Sequence, residues 1–160
     1  MDVKLLSSLF EVRKLNSKDI DSIYHLCCSN KLFYQYHPPF VTKESILEDM
    51  NALPTEKNFR DKFYIGFFKN NFLTAIMDLI LDYPQKNTAF IGLFMVDSQY
   101  QHTGTGSRII TEIILYLKKS NYNKIQLGVD KNNPQSYGFW KKNGFLPVDT
   151  QKYIIMERNL

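Results

Sequence analysis

A glycine-bearing segment in the second half of the chain carries the residues with the clearest chemical use. It reads Val96-Asp97-Ser98-Gln99-Tyr100-Gln101-His102-Thr103-Gly104-Thr105-Gly106-Ser107, and it joins an apolar stretch to a region with helical spacing. Amide N–H groups at a helix start have no partners within the helix, and glycine lets phosphate oxygens approach the backbone. The segment therefore suits an anion such as pyrophosphate, although an ordinary turn between two elements has the same local features.

Two other phosphate-binding motifs do not fit this segment. A nucleoside triphosphatase loop requires G-x-x-x-x-G-K-[ST], which is absent from the chain. A dinucleotide-binding fingerprint requires a third glycine at the position that Ile109 occupies. The sequence thus disfavours both the nucleoside triphosphatases and the simple dehydrogenases.

Two ordered motifs resemble those of the GNAT superfamily of acyl-CoA-dependent N-acetyltransferases. Gln101-x-x-Gly104-x-Gly106 is similar to the family's Q/R-x-x-G-x-G/A signature. The family's second motif, N-x-x-(A/S)-x-x-F-Y-x-x-x-G-F, is matched at the same spacing by Asn133, Ser136, Phe139, Trp140, Gly144 and Phe145. The resemblance extends over roughly residues 10–157, but before Thr88 it rests on the pattern of elements alone.

The resemblance implies acetyl-CoA as co-substrate and suggests which residues bind it. The pantetheine arm is expected to pair, like an added strand, with the backbone of Phe94, Met95 and Val96. The pyrophosphate is expected to be surrounded by Gln101, His102, Thr103, Gly104, Thr105, Gly106 and Ser107. Contacts to the pantetheine and the thioester end are expected from Asn133, Ser136, Tyr137 and Trp140.

The sequence departs from the family at the positions that supply the acid and the base. Trp140 stands where many members have a tyrosine that protonates the leaving thiolate, and an indole N–H is not a practical acid. Gly128 stands where some members have a glutamate base. Transfer can still depend on positioning, because coenzyme A thiolate is a tolerable leaving group and ordered water can take the proton of the amine.

Two residues are candidates for the catalytic roles. Asp78 interrupts an apolar run, residues 73–80, where an unpaired carboxylate is costly. We therefore expect Asp78 to face a cleft and to orient or deprotonate an acceptor amine, with a solvent-facing strand residue as the alternative. Tyr137 lies one helical turn before Trp140 and either contacts the thioester end or packs in the core.

An aromatic, proline-containing segment, residues 33–40, is the candidate acceptor-binding element. Its two prolines disfavour regular helix and strand pairing, and loops carry specificity on such scaffolds. We expect Tyr34, Tyr36 and His37 to line the acceptor pocket. A lid packed on the core is the alternative.

The composition is that of a folded chain, and we expect one domain over residues 1–160. With 44% hydrophobic and 22% charged residues, the chain is neither disordered nor fibrous. The apolar stretches are too short for a membrane span and nothing resembles a signal-peptide core, so a cytoplasmic location is expected.

Cysteine, histidine and charge further restrict the function. Cys27 and Cys28 are adjacent, and the three histidines lack ligand spacing, so neither a disulfide nor a metal is expected. The net charge of +4 comes from dispersed lysines and arginines. That distribution suits a small anionic ligand, and the aromatic residues lack an RNA-binding setting, so no nucleic-acid partner is expected.

The patterning predicts the element order β-α-α-β-β-β-α-β-α-β-β. Strands are expected at residues 10–15, 62–69, 72–83, 88–97, 124–129, 145–148 and 153–157. Helices are expected after Ser17, after Thr42, from Gly106 and after Asn133, and Asn70-Asn71 is expected to form a hairpin turn. The predicted class is α/β (α+β), with a central, mixed, mostly antiparallel sheet flanked by helices. The nearly continuous apolar strand at 88–97 should be central.

These features predict an enzyme that moves an acetyl group from acetyl-CoA to a primary amine by direct attack in a ternary complex. A catalytically weak acyl-CoA-binding or sensing module is the alternative, because Trp140 and Gly128 replace the usual acid and base. The acceptor stays open among a small polyamine, an antibiotic amine, an amino acid and a protein N-terminus. The apolar closing segment, residues 153–156, either pairs across a homodimer or forms a final core strand.

Overall fold

The computed structural model describes residues 1–160 and gathers every strand into one seven-stranded sheet. The strands are β1 (Glu11–Lys14), β2 (Lys62–Lys69), β3 (Phe72–Leu81), β4 (Thr88–Val96), β5 (Lys124–Val129), β6 (Leu146–Thr150) and β7 (Ile154–Asn159). Their order across the sheet is β1-β2-β3-β4-β5-β7-β6. Only β4 and β5 are parallel neighbours, so the predicted mixed, mostly antiparallel sheet with a central β4 is confirmed.

Five α-helices flank the sheet. They are α1 (Ile20–Cys28), α2 (Lys31–Tyr36), α3 (Lys43–Asn51), α4 (Thr105–Lys119) and α5 (Pro134–Lys142). None of them combines the length and the apolar character that a membrane crossing requires.

The helix α2 is one element more than the sequence predicted. The expectation that the prolines prevent a helix in the aromatic segment is wrong, because Pro38 and Pro39 follow the last residue of α2 and remove none of its hydrogen bonds. The first helix also differs at its start. Asn16, rather than Ser17, provides the side-chain cap of a short 3-10 turn, which leads directly into α1.

The other predicted caps and turns are observed. The Thr42 side chain accepts a hydrogen bond from the amide of Ser45 at the start of α3. Asn70 and Asn71 adopt φ values of 51° and 66° between β2 and β3, as a two-residue hairpin turn requires. The turn and a β-bulge between Phe67 and Phe68 together set the register of this hairpin, and the register decides which side chains share a face.

The two faces of the sheet contact different helices. Met77 and Leu79 belong to a buried cluster that includes the apolar side of α4. Ile76, one position along β3, belongs to a second cluster with residues of α1 and α3. Because strand residues alternate between faces, Asp78 lies on the same side as Ile76, towards α1 and α3.

The centre of the sheet opens between β4 and β5. The two strands pair only over Thr88–Ile91 and Lys124–Leu127. A β-bulge follows on β4, where Leu79 pairs with Ile91 but Asp78 pairs with Leu93, which leaves Gly92 as the extra residue. The remainder of β4 therefore has a partner on the β3 side only, and its other edge is unpaired.

The closing strand β7 lies inside the sheet, between β5 and β6. The prediction of a final core strand is confirmed, with Met156 fully buried. Since both edges of β7 are already paired, this segment has no free edge with which to pair with a second copy.

Candidate active site

A cavity of about 370 Å³, here called the loop cavity, lies where β4 and β5 separate below the glycine-bearing loop. The elements that form it are the end of β4, the loop before α4 and the start of α5. Eleven of the residues predicted to bind acetyl-CoA line it: Phe94, Met95, Val96, Gln101, His102, Gly104, Gly106, Ser107, Asn133, Ser136 and Trp140. The two motifs, separate in the sequence, thus form the walls of one cavity.

The start of α4 presents free amide groups to this cavity. The first amide with a partner in the helix is that of Arg108, which donates to the carbonyl of Gly104, and no side chain caps the helix. Gly104 has φ = 83° and His102 has φ = 59°, so the loop turns sharply before the helix begins. A side chain at Gly106 would place its Cβ 3.1 Å from the Phe139 ring. The geometry fits the diphosphate of an acyl-CoA.

Gln101 and Asn133 hold the loop cavity together through their side chains. Gln101 Nε2 donates to Asn30 Oδ1 at 2.7 Å and to the Val96 carbonyl at 2.9 Å, which ties the loop to β4 and to the end of α1. Asn133 Oδ1 accepts from the amide of Ser136 at 3.0 Å. Asn133 Nδ2 has no partner in the protein and is not enclosed, so it is free to donate to a ligand.

Three predicted residues are not brought to the loop cavity. Thr103 and Thr105 bond to each other at 2.8 Å and lie outside its lining. Tyr137 is half-buried, packs against the core cluster on the α4 side, and lines neither this cavity nor the next one. For Tyr137 the structure agrees with core packing, the alternative left open by the sequence.

A second cavity, of about 310 Å³, adjoins the loop cavity on the α1 and α3 side of the sheet. We call it the Asp78 cavity. Phe33, Phe94, Ser136 and Trp140 line both cavities and form the boundary between them. Of the three residues predicted to line the acceptor pocket, Tyr34 and His37 line the Asp78 cavity, whereas Tyr36 lines neither cavity.

Asp78 lies in the wall of this cavity, as the sequence predicted for a carboxylate inside an apolar strand. Its Oδ2 accepts a hydrogen bond from Lys62 Nζ at 2.7 Å, and the two side chains are only 12% and 4% exposed. Its Oδ1 is the one enclosed side-chain polar atom in the structure without a hydrogen-bond partner. Burial raises the pKa of Asp78 above its ordinary value, and the ammonium of Lys62 opposes this rise. The carboxylate therefore retains an unused acceptor beside the cavity.

The other ionisable groups of the Asp78 cavity include a histidine–aspartate pair and two phenols. His37 Nδ1 lies 3.3 Å from Asp130 Oδ2, and the imidazole ring stacks at 6.3 Å on the ring of Tyr153. Burial raises the pKa values of Tyr34 and Tyr64 far above the usual range, so both hydroxyls stay protonated. Neither phenol is poised as a base.

Cys27 also lines the Asp78 cavity, but it is not an activated nucleophile. Burial raises the pKa of its thiol to about 11, so the thiolate is scarce at neutral pH. A covalent mechanism through Cys27 therefore has no support, and the buried Cys27 packs in the core cluster on the α1 and α3 side.

Trp140 occupies the boundary between the cavities. Its ring packs 5.0 Å from both Phe139 and Phe145, measured between centroids. Its indole N–H has no partner in the protein and is not enclosed, so it is free to donate a hydrogen bond. Gly128 lines the Asp78 cavity without contributing a carboxylate, so the departures seen in the sequence are real features of the site.

Sequence reasoning missed several residues of the site. Asn30, Phe139, Asp49, Tyr64, Asp130 and Tyr153 line the cavities without belonging to a predicted set. Lys62 was also missed. The turn at Asn70-Asn71 alone would place Phe63 opposite Asp78, but a β-bulge between Phe67 and Phe68 shifts the register by one residue. Tyr64 therefore pairs with Asp78, and Lys62 becomes the diagonal neighbour of Asp78 on the same face, which the turn by itself does not predict. No group of three potential metal ligands is present anywhere in the chain.

The fold resembles that of several solved acetyltransferases. The PaiA N-acetyltransferase of Thermoplasma acidophilum, solved in complex with coenzyme A, is 23% identical, with a TM-score of 0.73 over 94% of this chain and 99% of that one. An acetyltransferase of Thermus thermophilus is 18% identical, with a TM-score of 0.81 over 94% and 97%. The ribosomal-protein-S18-alanine N-acetyltransferase of Escherichia coli is 16% identical, with a TM-score of 0.68 over 92% of each chain.

A search of curated proteins by sequence gives no match. The acetyltransferase (GNAT) family model, however, matches residues 21–145, which is most of the chain and includes both motifs. Acetyl-CoA is the co-substrate of this family. The chain belongs to the GNAT family of acetyltransferases.

Proposed function

We propose that this protein transfers the acetyl group of acetyl-CoA to a primary amine that enters through the Asp78 cavity. The observation that supports this most is the meeting of two cavities at Phe94 and Trp140. One is lined by a loop and helix start suited to an anion, and the other by a buried carboxylate with an unused acceptor. A donor and an acceptor bound in the two cavities would meet at this boundary, as direct transfer requires.

The donor is held by backbone groups more than by charged side chains. The free amides at the start of α4 suit the diphosphate, and the unpaired edge of β4 after Gly92 suits the amides of the pantetheine arm. Asn133 Nδ2 supplies a donor from the opposite wall. Acetyl-CoA itself supplies an activated acyl carbon.

Asp78 is proposed to orient the amine and to take its proton. As the N–C bond forms and the C–S bond breaks, the amine nitrogen gives up a proton, which the carboxylate accepts and passes to water. Trp140 cannot donate a proton to the leaving sulfur, but its free N–H can donate a hydrogen bond to it. Lys62 opposes the rise in the pKa of Asp78 that burial causes, and so favours the ionised form that accepts the proton.

Thermal melting with acetyl-CoA tests the donor site. At about 100 times the dissociation constant, the ligand should stabilise the protein by ~2.7 kcal/mol and raise Tm. Gly104→Ala, which places a side chain at φ = 83°, should weaken binding and shrink the rise in Tm at a fixed ligand concentration. No rise with the unmodified protein would contradict the proposed donor site. A rise without amine-dependent thiol release, across many amines, would favour the sensing module instead.

Gly92→Ala tests whether the bulge on β4 is needed to place Asp78. The added Cβ would lie 2.9 Å from Asp78 Oδ2, so the carboxylate must shift and its bond to Lys62 must lengthen. We expect acetyl transfer to fall by about tenfold and the unfolding free energy by about 1–3 kcal/mol, measured by thiol release and urea unfolding. Gly138→Ala, in a helix with open space around it, is the control for the stability measurement only, because Gly138 lines the loop cavity, and it should raise stability by ~0.5–1 kcal/mol. If Gly92→Ala kept full activity, the bulge would have no role in placing Asp78.

A further inference from the structure

The ionisable groups around the Asp78 cavity are unbalanced in charge. Its lining contains three carboxylates, Asp49, Asp78 and Asp130, one imidazole and no lysine or arginine. The chain as a whole carries a net charge of +4, so this cavity is an acidic site on a basic protein. An acidic lining raises the local concentration of cations.

The three carboxylates differ in what already neutralises them. Lys62 pairs with Asp78 at 2.7 Å. Asp130 has one side-chain partner, the imidazole of His37 at 3.3 Å, which is charged only when protonated. Asp49 forms no salt bridge. The excess negative charge therefore belongs to Asp49 and Asp130 rather than to the buried Asp78.

The three carboxylates differ in burial. Asp78 is buried, with its Oδ1 enclosed and unpartnered, whereas Asp49 is exposed and Asp130 is half-buried. Aromatic side chains contribute much of the remaining lining: Phe33, Tyr34, Tyr64, Phe90, Phe94, Trp140 and Tyr153. Aromatic faces accept both methylene chains and ammonium groups. The cavity lining thus combines a buried carboxylate, an aromatic wall and two more accessible carboxylates.

We propose that the acceptor is a diamine or polyamine, with a reacting amine at Asp78 and a second ammonium at Asp49 and Asp130. A monoamine bound at Asp78 would leave the negative charges of Asp49 and Asp130 without a counter-charge. A molecule with a second ammonium on an apolar chain would place one amine beside Asp78 and the other beside these two carboxylates. This inference rests on the proposed function, because it assumes that the Asp78 cavity holds the acceptor.

Thiol release with matched amines tests the substrate class. We expect diaminobutane to exceed butylamine, which has the same carbon chain, by at least about tenfold in kcat/KM, because a partly desolvated ion pair holds the second ammonium. Asp49→Asn and Asp130→Asn should each reduce this ratio by about threefold or more, mainly through KM for the diamine. Glu48→Gln, an exposed neighbour of Asp49 on α3 that lines neither cavity, should leave the ratio unchanged.

The outcomes separate this inference from the proposed function. Equal kcat/KM for diaminobutane and butylamine, or a ratio that Asp49→Asn and Asp130→Asn both leave intact, would overturn the diamine class while acetyl transfer still stood. Thiol release with an aromatic monoamine or an amino acid at a higher kcat/KM than with any diamine would overturn it as well. If no amine at all released the thiol while acetyl-CoA still raised Tm, the proposed function itself would fail.

Discussion

Asp78→Asn is expected to lower kcat by about 100-fold or more, because removal of a positioned general base typically costs that factor. The amide keeps an oxygen that can accept the hydrogen bond of Lys62, and its volume is nearly the same. The variant also leaves the ammonium of Lys62 buried without its counter-charge, so a loss of stability should accompany the loss of rate. Steady-state thiol release measures the rate, and the rise in Tm with acetyl-CoA checks that the donor still binds.

The pH dependence separates a base from a structural residue. Burial raises the pKa of Asp78, so in the unmodified protein kcat/KM should rise with pH through a value above the ordinary 3.9 or so of an aspartate. That rise should be absent in Asp78→Asn. Asp21→Asn, which changes a carboxylate that is 84% exposed on α1, is the control and should keep both the rate and the pH profile. An Asp78→Asn protein with undiminished turnover would remove Asp78 from the mechanism.

Lys62→Met is expected to reduce the unfolding free energy at neutral pH by about 3–5 kcal/mol. The substitution leaves the carboxylate of Asp78 buried and unpaired, and breaking a buried pair on one side typically costs that much. Adding Asp78→Asn to Lys62→Met removes the second charge, so the double variant should recover a large part of the loss. Urea unfolding of the two single variants and the double variant gives the coupling free energy.

The deficit of Lys62→Met should also depend on pH with a definite sign. A carboxyl whose folded-state pKa is raised binds protons more tightly in the folded protein than in the unfolded chain. Its contribution to stability is therefore greatest below the unfolded pKa and is lost as pH rises through the folded pKa. The deficit should be smaller in mildly acidic buffer than at neutral pH. Lys69→Met, at the exposed end of β2, should change stability by less than ~0.5 kcal/mol. Equal losses at both lysines would mean that the buried pair has no special role.

The buried pair links stability to the proposed chemistry. A carboxylate that is held by one lysine and has a second, unpartnered oxygen costs folding free energy, because part of its desolvation is not compensated. An amine bound beside Asp78 would supply the missing donor. The proposed role of Asp78 would account for the position of this unpartnered oxygen in the wall of a cavity.

Local signals in the sequence determined most of the elements. Asn70-Asn71, Thr42 and Asn133 marked turns and helix starts that the structure reproduces, because these side chains bond to nearby backbone groups or tolerate positive φ. The glycines before α4 and the amphipathic spacing of α4 itself predicted the loop and the helix that follows it. The prolines after α2 were interpreted as excluding a helix from the whole aromatic segment. They exclude it only from their own positions, and the local sequence does not show that a helix ends just before them.

The position of Asp78 in the wall of a cavity could be predicted from the sequence. A carboxylate in an apolar strand predicts a cleft, because burial without one costs too much. Tyr137 shows the limit, since the spacing of α5 is compatible with either face, and only the packing of α5 against the core turned this tyrosine away from both cavities.

The sequence by itself determined the family, the order of the elements apart from α2, and the glycine loop, because all of these depend on residues close together in the chain. Only the tertiary structure decided the meeting of the two cavities at Trp140, the pairing of Lys62 with Asp78, and the presence of Asp49 and Asp130 in the lining of one cavity. Those contacts depend on strand register, on a one-residue bulge at Gly92 and on how helices pack across a sheet. Such long-range geometry is set by the whole core, which no local pattern specifies.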